Sequence, residues 1–238
     1  MKLIKHLAAV FILVSVSSSQ QLSIGYDRFV AGVLAGDDGT AIVGAIVTLH
    51  RTEPHRPGKP KKTEWSATSG PGGTFLFNDV YEGQYRLCAQ APGSPWLDPC
   101  EWNLRPITAS LSGGQRSVNV AMVMNKGAVV PFRVDDASQL LSRHEGKTSG
   151  AHLLLAVSND ASVFRPAMVT SQDASGRNQQ IVIPFDTPVK LVAFSSFFRL
   201  TDSAGLELSR AGATKISITV PSGNTPVGIR LAVIGSGR

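Results

Sequence analysis

The sequence predicts an all-β protein, a β-sandwich followed by a second, sandwich-like all-β domain. Three observations carry that reading. Apolar residues alternate with polar ones along many short runs, Gly-rich turns separate the runs, and helical periodicity is almost absent. Period-two alternation places one face of a strand in a core and the other in solvent. Frequent turn residues between short strands favour a sandwich over an α/β fold.

The first series shows the pattern clearly. Ala45, Val47 and Leu49 alternate with Ile46, Thr48 and His50, and Phe75 and Phe77 bracket Leu76. Tyr85, Leu87 and Ala89 alternate with Gln84, Arg86, Cys88 and Gln90, and Val118, Val120, Met122 and Met124 continue the theme. GDDGT, SGPGG and DVYEG supply the turns. NKGA then reads as a short linker. A second series follows, with Val130, Phe132 and Val134, then Leu153, Leu155 and Val157, then QQIVIPF, VKLVAFSS, TKISITV and GIRLAVI. One helical turn is expected in DDASQLLSR, with Asp136 as its cap and Gln139 replying three residues on. The expected organisation is a leader over residues 1–19, a first sandwich over 26–124 and a second all-β domain over 128–238.

The leader sets the compartment. Lys2 and Lys5 precede the apolar run Leu7–Val16, and Ser17 and Ser19 suit a cut after Ser19. That is the layout of a secretory signal peptide. The run is about ten residues, half of the roughly 20 that span a bilayer as a helix. No membrane span is expected after cleavage, and the mature chain is expected in a bacterial periplasm, envelope or medium. Formal charge is +6, and +4 once Lys2 and Lys5 leave. That mild excess does not call for nucleic acid.

Export also decides how the two cysteines read. Outside the cytosol a lone pair joins, so a Cys88–Cys100 disulfide is expected. It would close about 13 residues and contribute roughly 3 kcal/mol.

From Phe29 to Leu87 the chain resembles the carboxypeptidase regulatory-like domain, a prealbumin-like sandwich of about seven strands. The residues that carry the resemblance are Gly32 and Val33, then Gly39, Gly44, Ala45, Val47 and Leu49, then Thr68, Gly73, Phe75, Phe77, Val80, Gly83, Tyr85 and Leu87. The turn after Thr68 departs from the family in being a Gly-Pro expansion rather than acidic, and the loop Arg51–Lys62 is long and basic. The resemblance implies a non-catalytic accessory, structural or ligand-contacting module. Its fold group is carbohydrate-binding-like, an analogy that does not carry function by itself. The resemblance does not extend to the C-terminal half, to which no family is assigned.

The sequence carries no recognisable catalytic motif, and no catalytic residue is expected. His50, His55, His144 and His152 are scattered without i,i+4 pairing, so no metal site is expected. No Gly-x-Ser-x-Gly elbow surrounds a serine, and no Gly-rich phosphate cradle joins a strand to a helix. Asp37 and Asp38 are explained by a turn, and Asp135 and Asp136 by a cap. No cofactor is expected.

Two candidate contact regions remain. The basic loop offers Arg51, Arg56, Lys59, Lys61 and Lys62 to a polyanion, without the aromatics that stack nucleobases. The stretch GSPWLDPCEW offers Trp96 and Trp102, which with Trp65 could stack on a sugar. Cys88 lies on the strand side opposite Tyr85 and Leu87, so the crosslink draws this loop over the outside of a sheet. Pro92, Pro95 and Pro99 stiffen it. Its chief expected role is a tethered cover. The expected function is a non-enzymatic binding or scaffolding protein that contacts another envelope or extracellular protein; the alternatives are a glycan-binding module using exposed tryptophans and an enzyme with a site at the domain interface.

Overall fold

The computed structural model describes residues 28–53, 62–102, 104–141, 153–160, 163–195, 197–208 and 216–236. The leader therefore lies outside the described residues. Nearly all the regular structure is strand. The first half contributes β1 (Phe29–Gly36), β2 (Ile46–Arg51), β3 (Glu64–Thr68), β4 (Thr74–Phe77), β5 (Gly83–Gln90), β6 (Ile107–Leu111) and β7 (Ser117–Met124). They form two sheets, ordered β4-β1-β7 and β3-β2-β5-β6. Seven strands in two sheets match the expected sandwich, and β1 pairs with β7 in parallel along all eight of its residues.

Alternation fixes what each sheet buries. Val47 and Leu49 of β2, Phe75 and Phe77 of β4, Tyr85, Leu87 and Ala89 of β5, and Met122 and Met124 of β7 share one buried cluster. Each of the Val, Leu, Phe and Met side chains contributes about 1.5–3 kcal/mol by leaving water. Tyr85 keeps its phenol paired inside by donating to the Tyr81 carbonyl at 2.5 Å. Burial pushes that phenol up to about 12. Gly73 sits at φ +73, where an added Cβ would stand 2.1 Å from the Leu34 carbonyl oxygen, so both conformation and space require glycine.

The second half contributes β8 (Ala128–Asp135), β9 (Leu154–Asp160), β10 (Val163–Pro166), β11 (Met168–Asp173), β12 (Gly176–Ile183), β13 (Val189–Phe194), β14 (Phe198–Asp202), β15 (Ile216–Ile218) and β16 (Ile229–Ser236). Their sheets run β10-β9-β13-β15 and β11-β12-β8-β16-β14, with β16 parallel to β8. A second buried cluster lies between them, built on Val130, Phe132, Val134, Leu155, Ile183 and Leu191 among others. Asp136 does cap a turn: its carboxylate accepts the Leu140 and Leu141 amides at 2.9 and 2.7 Å.

The short NKGA segment between the two halves is held by hydrogen bonds on both sides. The Pro95 carbonyl accepts the Gly127 amide at 2.7 Å, and the Asn125 carbonyl accepts the Leu97 amide at 2.9 Å. Trp96 and Lys126 bridge between these bonds. Asp37 adds a third tie by accepting the Lys126 amide at 3.1 Å. A short ladder therefore ties the segment to the tryptophan loop.

Candidate functional site

The tethered loop is the centre of the molecule's unusual chemistry. Cys88 is bonded to Cys100 with a Cα–Cα distance of 5.3 Å. Thr48 lies opposite Cys88 on β2, and Cys88 is buried without joining the first core cluster. The crosslink therefore leaves the outer face of the β3-β2-β5-β6 sheet, as the alternation of β5 requires. Two of the residues it holds then depart from the expected cover. Leu97 and Trp102 pack into the buried cluster of the second half, beside Val130 and Ile183. The loop is a joint between the two sandwiches.

Trp102 shows how firmly that joint is fixed. It is 7% exposed, and its backbone sits at φ +58, a conformation bulky residues adopt only when surroundings impose it. The Arg165 guanidinium lies 4.0 Å from the indole centroid. The same guanidinium donates to Glu101 at 3.1 Å and to Asn159 at 3.3 Å. A planar cation stacked on a ring and held by a carboxylate is a role lysine cannot fill. Trp96 is anchored on the other side, over Gly36, where an added Cβ would stand 2.1 Å from the ring.

The remaining sequence candidates divide. Trp65 is 4% exposed and packs edge-on to Tyr81 and Tyr85 at 5.8 and 5.7 Å. Stacking of a sugar on Trp65 or Trp102 is corrected on this ground, because burial leaves neither indole an open face. Trp96 is half-buried against the first core. Arg51 is committed to Glu53 at 3.2 Å and to the Glu82 carbonyl at 2.9 Å. Lys62 stands over the Trp65 ring at 5.0 Å. Arg56, Lys59 and Lys61 lie outside the described residues, as do His55, His144 and His152. The structure thus brings together Cys88, Cys100 and Trp102, and leaves Trp65 in the first core.

Two carboxylates in the joint are perturbed. Asp98 is held above the usual carboxylate range by burial, against bonds from the Cys100 amide and from Gln90 and Ala89 that pull it down. Glu101 is raised by burial and by the nearby Asp98, against the pull of Arg165. Cys88, Asp98 and Cys100 place donor atoms within 4.8 Å of one another. The sulfurs are consumed by the disulfide, so the trio is no metal centre. Asp37 and Asp38 serve the turn, Asp38 by accepting the Thr40 amide at 2.9 Å. Sequence reasoning missed Arg165 and Glu101, whose significance depends on a contact 64 residues apart along the chain.

A pH prediction follows. A carboxyl raised in the folded state carries no penalty below its unfolded pKa and costs stability as pH rises through its folded pKa. Asp98→Asn keeps an oxygen for the Cys100 amide and removes the charge. It is expected to raise Tm at pH 7, with the gain vanishing in acid. Thermal unfolding of both proteins across pH 4–8 checks this.

Among the described residues, no helix is long and apolar enough to cross a membrane. No family model matches the chain, and no curated protein matches it. Solved structures do. A streptococcal ancillary pilin aligns at 11% identity and TM-score 0.40, over 85% of this chain and 62% of its own length. The minor pilin of Streptococcus agalactiae aligns at 14% identity and TM-score 0.39, over 89% of this chain and 98% of its own. The full-length major pilin of Corynebacterium diphtheriae aligns at 5% identity and TM-score 0.33, over 70% and 60%. The chain thus spans about three-fifths of the first of these. Likeness at this level carries no functional argument.

Proposed function

We propose that the chain is an exported, two-domain, non-enzymatic binding or scaffolding protein that contacts another envelope or extracellular protein. The observation that carries this reading is the outer face of the β4-β1-β7 sheet. Phe29, Val33, Leu76 and Val123 project from it at 36–52% exposure. Register places Ala31 beside Leu76, Ala121 beside Val33, and Ala35 beside Val123. The other outward positions are Thr74, Ser117 and Asn119, so this face holds no ionised side chain. Contiguous apolar surface of this kind marks an interaction site. The Cys88–Cys100 disulfide supports export, since such bonds persist in oxidising compartments.

Leu76→Glu tests the reading. Leu76 is half-exposed, so the change is expected to leave stability within about 0.5 kcal/mol. The immobilised wild type is expected to capture a defined envelope protein that also binds when purified, with at least tenfold weaker binding by the variant. Equal binding by the two proteins would refute the contact face. Contact of Lys62 and its basic neighbours with an acidic polymer remains a separate proposal, and the engagement of Arg51 with Glu53 and Glu82 leaves Arg51 little to offer it.

A further inference from the structure

The joint leaves a cleft of about 750 Å³ between the outer face of the β3-β2-β5-β6 sheet and the tethered loop. It falls inside the roughly 300–1,000 Å³ range of small-molecule sites. We infer that this cleft binds a short neutral oligosaccharide through the polar floor of the sheet, independently of the protein contact proposed above.

The floor is ordered by strand register. Glu64, His50 and Arg86 stand on three adjacent strands in one row, and Thr48 occupies the next row beside Cys88. Gln90 completes the floor at its far end. Neighbouring strands lie about 4.8 Å apart, so the row presents acceptor, imidazole and guanidinium at regular intervals. His50 is already fixed at 3.0 Å from the Thr48 hydroxyl and 3.7 Å from Glu64. A floor held by strands keeps its side chains placed without a ligand, which reduces the cost of ordering on binding.

The wall decides the ligand's class. Asp98 and Glu101 face the cleft from the loop, with Arg165 and Trp102 behind them. Three carboxylates stand against two guanidiniums, so opposite charges nearly cancel and neither a polyanion nor a polycation is selected. What remains is a mixture of donors and acceptors beside apolar surface from the disulfide, Leu104, Pro106 and Val163, which suits a ligand carrying both hydroxyls and apolar faces. A molecule that satisfies such a surface must donate and accept at many points without net charge, as a chain of sugar hydroxyls does. A purely apolar ligand would strip water from these groups and return nothing. The disulfide and the Arg165–Glu101 pair hold wall and floor at fixed separation.

The intact protein is titrated with neutral β-glucan, chitin, mannan and maltose oligosaccharides of three to six units, alongside acidic uronate oligomers. Trp102 borders the cleft, so indole fluorescence and calorimetry both report binding. At least one neutral series is expected to saturate. Arg86→Ala and Glu64→Gln alter exposed side chains outside the core and are each expected to weaken it about tenfold, the loss of one charge-assisted hydrogen bond. Silence across the neutral series overturns the assignment, as does preference for the uronates or binding untouched by both substitutions. Leu76→Glu lies on the other sheet and should leave saccharide binding unchanged, which separates failure here from failure of the protein contact.

Discussion

Replacing Trp102 with alanine is expected to cost about 3–5 kcal/mol of stability, the range for deleting a buried aromatic from a core. At about 2–4 °C per kcal/mol for a chain of this size, Tm should fall by at least 6 °C. The size of the effect follows from where the indole sits. It is a member of the second half's buried cluster although it belongs to a loop of the first, so its removal opens a cavity in that cluster and frees the Arg165 guanidinium that rests on it. A surface tryptophan would cost no more than about 0.5 kcal/mol. Chemical denaturation distinguishes the two outcomes directly. The same variant should show the joint opening, as greater protease sensitivity between Pro92 and Trp102. A loss below about 1 kcal/mol would mean that the sandwiches do not depend on this contact.

The second large effect belongs to the disulfide. Cys88→Ala with Cys100→Ala removes a crosslink spanning 12 positions, for which the chain-entropy estimate is roughly 3 kcal/mol. Two consequences can be measured separately. Tm should fall by about 6–12 °C, and treating the wild type with a dithiol should reproduce most of that fall while leaving the double variant unmoved. The joint should suffer beyond the entropic loss, because the crosslink orients the residues that reach across it. Asp98 accepts the Cys100 amide, and Glu101 follows at once to meet Arg165. The effects of Trp102→Ala and of the cysteine pair should therefore combine non-additively, since both act on one contact. Additivity within about 0.5 kcal/mol would show that loop and indole work independently.

Much of the architecture was legible because alternation reports faces. Val47, Leu49, Phe75, Phe77, Tyr85, Leu87 and Ala89 read as inward residues, and all seven lie in one core. Cys88 read as outward for the same reason, which made the direction of the crosslink legible too. The pairing partner of a loop is a different kind of information. Nothing local to Trp102 reveals that it belongs to the buried cluster of the second half and meets Arg165. Alternation names the side of a strand and stays silent about which distant surface a loop meets. The stretch Val163–Asp173 was obscure for a related reason. All six residues of β11 are exposed, so it has no buried face to create a pattern, and Pro166 interrupts the run before it.

The same reasoning applies to the short linker and to the tryptophans. Within NKGA, Gly127 is buried where a Cβ would stand 2.7 Å from the Ile183 carbonyl oxygen. Glycine there serves close approach rather than freedom. The three tryptophans suggested stacking surfaces because large aromatics serve both cores and ligands. Residue type alone could not separate those uses, and burial does. The outer face of the β4-β1-β7 sheet was missed because its alternating positions hold Ala, Val and Leu instead of charges, which blurs the contrast that marks a strand's wet side.

The parallel pairings of β1 with β7 and of β8 with β16 have a mechanical consequence. In each pair the earlier strand is entered from its N-terminal end and the later strand is left from its C-terminal end. Tension applied along the chain would drag the two strands lengthwise past each other, straining their evenly spaced hydrogen bonds all at once rather than peeling them one by one. Both sandwiches are thus arranged to resist a pull on their ends, and stretching a single molecule would register two separate rupture events.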